Sequence, residues 1–213
     1  MNCPICEKRP PKRFCPAKGE KICAVCCGRE REVTIDCPAD CPHLINAHRY
    51  EAEHRKALKA EDFPYRDIQV RPDFVYEHWD VVGGLAKTIL QFQVQNKELS
   101  DHAAAGAIEA LAETYRTLGT GIYYERPPDE LLARTLYGQM TQFLEEFRKE
   151  QVARTGFSTL KDGEIFQLLV FLQRIAKQET NGRPRSRAFL GFLGSRFPLP
   201  AEETKPASRI IVP

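Results

Sequence analysis

The chain has 213 residues, of which 42% are hydrophobic and 28% charged, and its formal net charge is +2. This composition is typical of a globular protein with a sizeable core, the charge predicts no particular partner, and no run approaches the roughly 18 apolar residues that a membrane span needs. The first residues hold no apolar core typical of a signal peptide, so we expect a cytoplasmic protein with reduced thiols and no membrane partner.

All eight cysteines lie near the start of the chain, the last of them at position 41. Cys3–Cys6 and Cys23–Cys26 are Cys-x2-Cys pairs, and two such pairs can supply four thiolates to one tetrahedral zinc ion. Core cysteines should instead be spread through a chain, and disulfides need an oxidising compartment. We therefore expect bound Zn²⁺. The candidate ligands are Cys3, Cys6, Cys15, Cys23, Cys26, Cys27, Cys37, Cys41 and His43.

The spacing of these cysteines resembles that of the B-box family of cross-brace zinc fingers. In that family a first ligand pair and a third, Cys-x2-Cys pair share one metal ion. Here those pairs are Cys3–Cys6 and Cys23–Cys26, which the resemblance assigns to a common ion. Because B-boxes commonly mediate protein association, the resemblance implies an interaction module whose partner is another protein.

The resemblance also implies a second structural ion, so that two zinc ions are expected. Cys15 matches the start of the family's second ligand pair, but Lys18 stands where the family usually has Asp or Cys, and lysine cannot bind a cation. The ligands implied for the second ion are Cys15, Cys37, Cys41 and one of Cys27, His43 or His48. So many sulfur ligands favour closed structural sites, because a catalytic zinc ion keeps an open position.

Beyond the cysteines the hydrophobic pattern is helical, with no comparable set of alternating strand patterns after residue 60. Residues 1–43 are expected to form the zinc-binding module, 44–62 a connecting helix, 63–197 a helical bundle domain, and the Pro-rich residues 198–213 a flexible tail. The predicted fold class is all-α: a helical bundle of four to five helices with a small N-terminal cysteine-rich zinc-binding module.

Within the bundle, each predicted helix shows one apolar face. The first covers about 73–97 and includes Trp79 among its apolar positions, while Gly83 and Gly84 permit close helix packing or a kink. Ser100 is a candidate N-cap for the second helix, which Gly119 ends. The third follows two prolines. The fourth covers residues up to 175, and the fifth covers residues 186–196.

Three functions are consistent with this sequence. The first is a zinc-binding protein-interaction or regulatory module in which the metal is structural. The second is nucleic-acid binding through the zinc module and a basic loop whose arginines could contact phosphate, namely Arg183, Arg185 and Arg187. The third is a bundle metalloenzyme that uses His78 and His102. We expect no enzyme, because no nucleophile arrangement of Ser, His and Asp or of Cys and His can be assembled.

Overall fold

A computed structural model describes residues 2–119, 121 and 124–200, and it confirms the predicted all-α class with a small N-terminal cysteine-rich module. The predicted tail after residue 200 lies outside the described residues. The strands are β1 Arg13–Cys15 and β2 Glu20–Ile22. The helices are α1 Ala24–Glu30, α2 Pro42–Glu53, α3 Pro72–Glu77, α4 Trp79–Gln95, α5 Asp101–Leu118, α6 Leu131–Thr155, α7 Asp162–Glu179 and α8 Ala188–Arg196. Over the described ranges, none of these helices has the length and apolar character needed to cross a membrane.

The N-terminal module is built on a two-stranded antiparallel hairpin followed by a short helix. β1 and β2 pair in the register Arg13↔Ile22 and Cys15↔Glu20, and Gly19 closes the turn with a φ of 68° that glycine adopts without strain. The module has its own buried cluster, made of its cysteines together with Ile22, Ile35 and Leu44. Cysteine side chains therefore make up much of the interior of this module.

The helical body has a separate and much larger buried cluster. α5 packs most extensively on α7 and also contacts α6 and α8, while α4 packs on α6. Ser100 caps α5 as predicted, because its hydroxyl accepts a hydrogen bond from the N–H of Ala103 at 3.2 Å. A short 3₁₀ turn, Ala60–Asp62, and the segment after it connect α2 to this body.

The structure differs from the sequence-based expectations at the start of the bundle. One helix was expected over 73–97, but the chain breaks at His78 and forms α3 and α4 instead. The break leaves Trp79 at the start of α4 with 48% of its surface exposed. Of the paired glycines, Gly84 permits close packing of α4 on α6, since a Cβ at this position would overlap the ring of Phe143.

Candidate metal centre

The first cysteine pair lies in a tight loop before the hairpin. The N–H of Cys3 donates to the carbonyl of Arg9 at 2.8 Å, and the N–H of Glu7 donates to the carbonyl of Cys3 at 2.7 Å. Glu7 takes a left-handed conformation with a φ of 54°, which lets the chain reverse immediately after Cys6. This local geometry directs both sulfurs of the pair toward the start of α1.

The second pair lies at the N-terminus of α1. Cys23 is the N-cap, and its sulfur accepts a hydrogen bond from the N–H of Cys26 at 3.4 Å. The N–H of Cys23 in turn donates to the sulfur of Cys3 at 3.3 Å. The first bond orders the second pair, and the other bond fixes the two cysteine pairs against each other, because it links the sulfur of Cys3 to the backbone of Cys23.

The four sulfurs of Cys3, Cys6, Cys23 and Cys26 all lie within 4.8 Å of one another. The sulfurs of Cys6 and Cys23 are 3.9 Å apart, and Zn–S bonds of about 2.3 Å in a tetrahedron require a separation of roughly 3.8 Å. Cys3, Cys23 and Cys26 are buried, so water has little access to the centre. This donor set fits a tetrahedral zinc ion and has the form of a closed structural site.

The thiols of this cluster differ in how readily they ionise. Burial raises the pKa of Cys3, but N–H groups of Cys23, Cys6 and Ile5 outweigh burial and lower it to about 6. The pKa of Cys6 is lowered mainly by the N–H of Lys8, whereas burial and the neighbouring thiols raise that of Cys26 to about 12. Part of the cluster is therefore ready to bind a cation near neutral pH, and metal binding displaces the remaining protons.

The other four cysteines are also buried in the module, but their sulfurs do not all lie as close to one another as those of the first cluster. Exposed fractions are 7% for Cys15, 9% for Cys27, 7% for Cys37 and 5% for Cys41. Burial, together with the charges of Cys41 and Cys15, raises the pKa of Cys37. Within the described part of the chain, the first cluster is the only group of three or more potential ligands whose atoms all lie within 4.8 Å.

The two histidines considered as ligands differ in their surroundings. The Nε2 of His48 donates to the carboxylate of Glu32 at 2.9 Å and is thereby held by a partner other than a thiol. His43 lies half-buried in the first turn of α2. The sulfur of Cys27 lies close to the strand that carries Cys15. Arg13 on β1 donates to this sulfur at 3.8 Å, and Arg13 lies on the same strand face as Cys15.

The predicted basic loop lies against the zinc-binding module. The guanidinium group of Arg183 donates to the carbonyls of Gly28 and Arg31, at 3.1 and 2.6 Å, where α1 ends. Arg187 donates to the carboxylate of Asp36 at 2.7 Å and to the carbonyl of Cys37 at 3.2 Å. Arg185 is more exposed, 3.9 Å from the other carboxylate oxygen of Asp36.

Glu32, which the sequence analysis did not single out, is the centre of this contact. Its side chain is 1% exposed and accepts hydrogen bonds from His48, from the amide of Asn181 at 2.8 Å and from the N–H of Arg187 at 3.1 Å. Burial by itself raises the pKa of Glu32, but these hydrogen bonds and the charge of His48 hold it below its usual value. An ionised carboxylate thus joins the module, α2 and the loop after α7.

The histidines of the metalloenzyme hypothesis lie apart from any such cluster. The Nδ1 of His78 is 3.0 Å from the carbonyl of Phe74, and its ring packs on the Phe74 ring. His102 lines a cleft between α5 and α7. Over the described ranges, neither histidine belongs to a group of three close metal ligands.

Comparisons with protein-family models, with curated proteins and with solved structures gave no match to this chain. The B-box resemblance thus has no family match to support it. The fold and the site themselves define the class of protein: a mostly helical protein whose N-terminal cysteine cluster is placed to bind a metal ion.

Proposed function

We propose that this protein is a zinc-binding interaction protein in which the metal holds the N-terminal module in shape. The observation that carries the proposal is the convergence of four largely buried cysteine sulfurs at one point. Four thiolates fill the coordination sphere of zinc, so no position remains for a reacting water molecule. The metal then supplies folding free energy to a module whose interior is otherwise small.

The proposal includes a second zinc ion held by the other four buried cysteines, with Cys27 as its fourth ligand. Cys27 is favoured over His48 because Cys27 is only 9% exposed, whereas the side chain of His48 is 23% exposed. It is favoured over His43 because Cys27 is nine-tenths buried and already receives an N–H···S hydrogen bond from Arg13. Hydrogen bonds from neighbouring groups orient metal ligands.

Metal analysis of the purified chain tests this ligand assignment. We expect two zinc ions per chain in the wild-type protein and one in Cys27→Ser, because three thiolates bind zinc much less tightly than four. His43→Ala is the matched control and should retain two ions. One ion in the wild-type protein would contradict the second site, and two ions in Cys27→Ser would contradict Cys27 as its fourth ligand.

The candidate interaction surface is an aromatic patch at the junction of α3 and α4, formed by Tyr76 and Trp79. Tyr76 is 81% exposed and Trp79 is 48% exposed. Tyrosine and tryptophan are residue types that dominate the binding energy at protein interfaces. The centre of the Phe197 ring lies 5.1 Å from that of the Trp79 ring, so the two rings pack together. A partner that covers this patch would gain apolar contact with little loss of side-chain freedom.

Affinity purification from the native cell lysate, with quantitative mass spectrometry, tests the interaction surface. We expect partner proteins that the wild-type chain retains to be lost with the double variant Tyr76→Ala/Trp79→Ala. The control variant Leu131→Ala/Phe157→Ala removes two apolar side chains that are 74% and 62% exposed elsewhere, and it should retain the partners. The same set of proteins on all three baits would contradict a role for the aromatic patch.

We do not extend the proposal to nucleic-acid binding, because Arg183 and Arg187 already donate to groups of the zinc-binding module. A phosphate would have to displace these contacts. Retention of a mixed DNA and RNA pool at low salt, with a steep decline as salt rises, would favour this second hypothesis over ours.

A further inference from the structure

A cleft of about 500 Å³ lies between α5, α7, the 3₁₀ turn and the loop after α7. This volume falls within the range of small-molecule sites. Its floor is opened by two small residues, Ala105 on α5 and Ala176 on α7, and its walls include Phe63, Pro64 and Pro184. The cleft therefore combines an apolar surface with several polar and charged side chains.

Gln173 is the polar group that points to a ligand. Its side chain lines the cleft and is only 7% exposed, and its Oε1 has no hydrogen-bond partner within the described part of the chain. A buried acceptor without a donor costs about 1–3 kcal/mol of stability. A ligand N–H group placed in the cleft would remove this cost. The site therefore favours a ligand that carries a hydrogen-bond donor.

Five charged side chains line the cleft, and three of them, Asp62, Asp101 and Arg183, already form hydrogen bonds within the protein. The other two, Lys177 and Glu109, are separated along its length. α5 and α7 run antiparallel. The start of α5 bonds to Ser186, which follows the end of α7. At the other end, Tyr65 bonds to Glu113 near the end of α5 and packs on Phe166 near the start of α7. Lys177, near the end of α7, therefore lies at the end of the cleft that holds His102. Glu109 lies two helical turns further along α5.

The ammonium group of Lys177 thus lies near His102, and the carboxylate of Glu109 lies toward the other end of the cleft. The seven residues from His102 to Glu109 span about 10 Å of helix, and two or three residues of extended chain span about 7–10 Å. We infer that the cleft binds short peptides of two or three residues with free termini. The peptide carboxylate lies at Lys177, the ammonium group lies at Glu109, and a backbone N–H donates to Gln173.

Calorimetric titration of the zinc-loaded full-length chain tests this assignment, with trialanine as the probe. N-acetyl-trialanine lacks the ammonium group and trialanine amide lacks the carboxylate. We expect each blocked peptide to bind about fivefold more weakly than trialanine, the effect of one exposed ion pair. No binding of trialanine at millimolar concentration, or equal binding of all three peptides, would overturn the inference.

Variants identify which end of the peptide each residue meets. Lys177→Ala should weaken trialanine about fivefold and abolish the difference between trialanine and its amide, while Glu109→Ala should abolish the difference between trialanine and its acetylated form. Lys149→Ala on α6 removes an exposed lysine outside the cleft and should change neither. A persisting difference in both cleft variants would show that the peptide termini lie elsewhere and would overturn the assignment.

Gln173→Leu separates binding from stability. Leucine has a similar volume and no polar atom, so the free protein should melt at a higher temperature, whereas trialanine binding should weaken about tenfold through loss of one hydrogen bond. A variant with undiminished trialanine affinity would refute the role of Gln173. None of these measurements depends on the protein partner or on the number of zinc ions, so this inference can fail while the proposed function stands.

Discussion

Cys23→Ser is expected to abolish tight metal binding at the first cluster and to unfold the N-terminal module while the helical body stays folded. Cys23 supplies one of the four sulfurs, caps α1 and donates its N–H to Cys3. In small zinc-binding modules the metal contributes about 10–16 kcal/mol of apparent folding free energy, which exceeds the stability of most domains. No redistribution of the remaining contacts can replace it.

The helical body should survive because its buried cluster is separate from that of the module. Metal analysis should show loss of at least one zinc ion per chain, and backbone NMR spectra should show collapse of module resonances with those of α4–α7 retained. Treatment of the wild-type chain with a strong chelator should have the same effect. Phe14→Ser is the control, since it changes an exposed module side chain and no ligand. A metal-free Cys23→Ser chain with an intact module would refute the structural role of the metal.

The parts of the fold that the sequence predicts well are those set by local pattern. The start of α5 follows from the capping hydroxyl of Ser100 and the apolar spacing after it, and the structure shows both. The first metal cluster follows from two Cys-x2-Cys turns, since each turn brings two sulfurs together whatever the rest of the chain does. Both features depend on residues that are close in sequence.

The features that the sequence does not predict depend on residues far apart in the chain. The sequence around Arg183 predicts a solvated loop. It does not indicate that Arg183 bonds to the carbonyls of Gly28 and Arg31, which lie 152 or more residues away in the chain. Trp79 fits the apolar spacing of a single helix, but the break at His78 turns it toward solvent. Glu32 looks like one more surface carboxylate within a charged segment, and only the tertiary structure shows that it is buried.

Glu32→Ala is expected to destabilise the contact between the zinc-binding module and the helical body by about 3–5 kcal/mol, the usual cost of removing one member of a buried charged network. Three donors would lose their acceptor: His48, the amide of Asn181 and the N–H of Arg187. The backbone at Glu32 is also left-handed, with a φ of 54°, and alanine does not relieve that conformation.

Glu32→Gln is the matched variant, because it keeps the shape and one acceptor oxygen but removes the charge. We expect it to lose about half as much stability as Glu32→Ala, since charge-assisted hydrogen bonds are roughly twice as strong as neutral ones. Urea unfolding gives the free energies, and hydrogen exchange should show faster opening at residues 28–37 and 181–187 in both variants. Zinc content should stay at the wild-type value, because the carboxylate of Glu32 is not a ligand. Unchanged stability in Glu32→Ala would mean that the module is held to the body by Arg183 and Arg187 alone, and the buried carboxylate would then have no part in joining them.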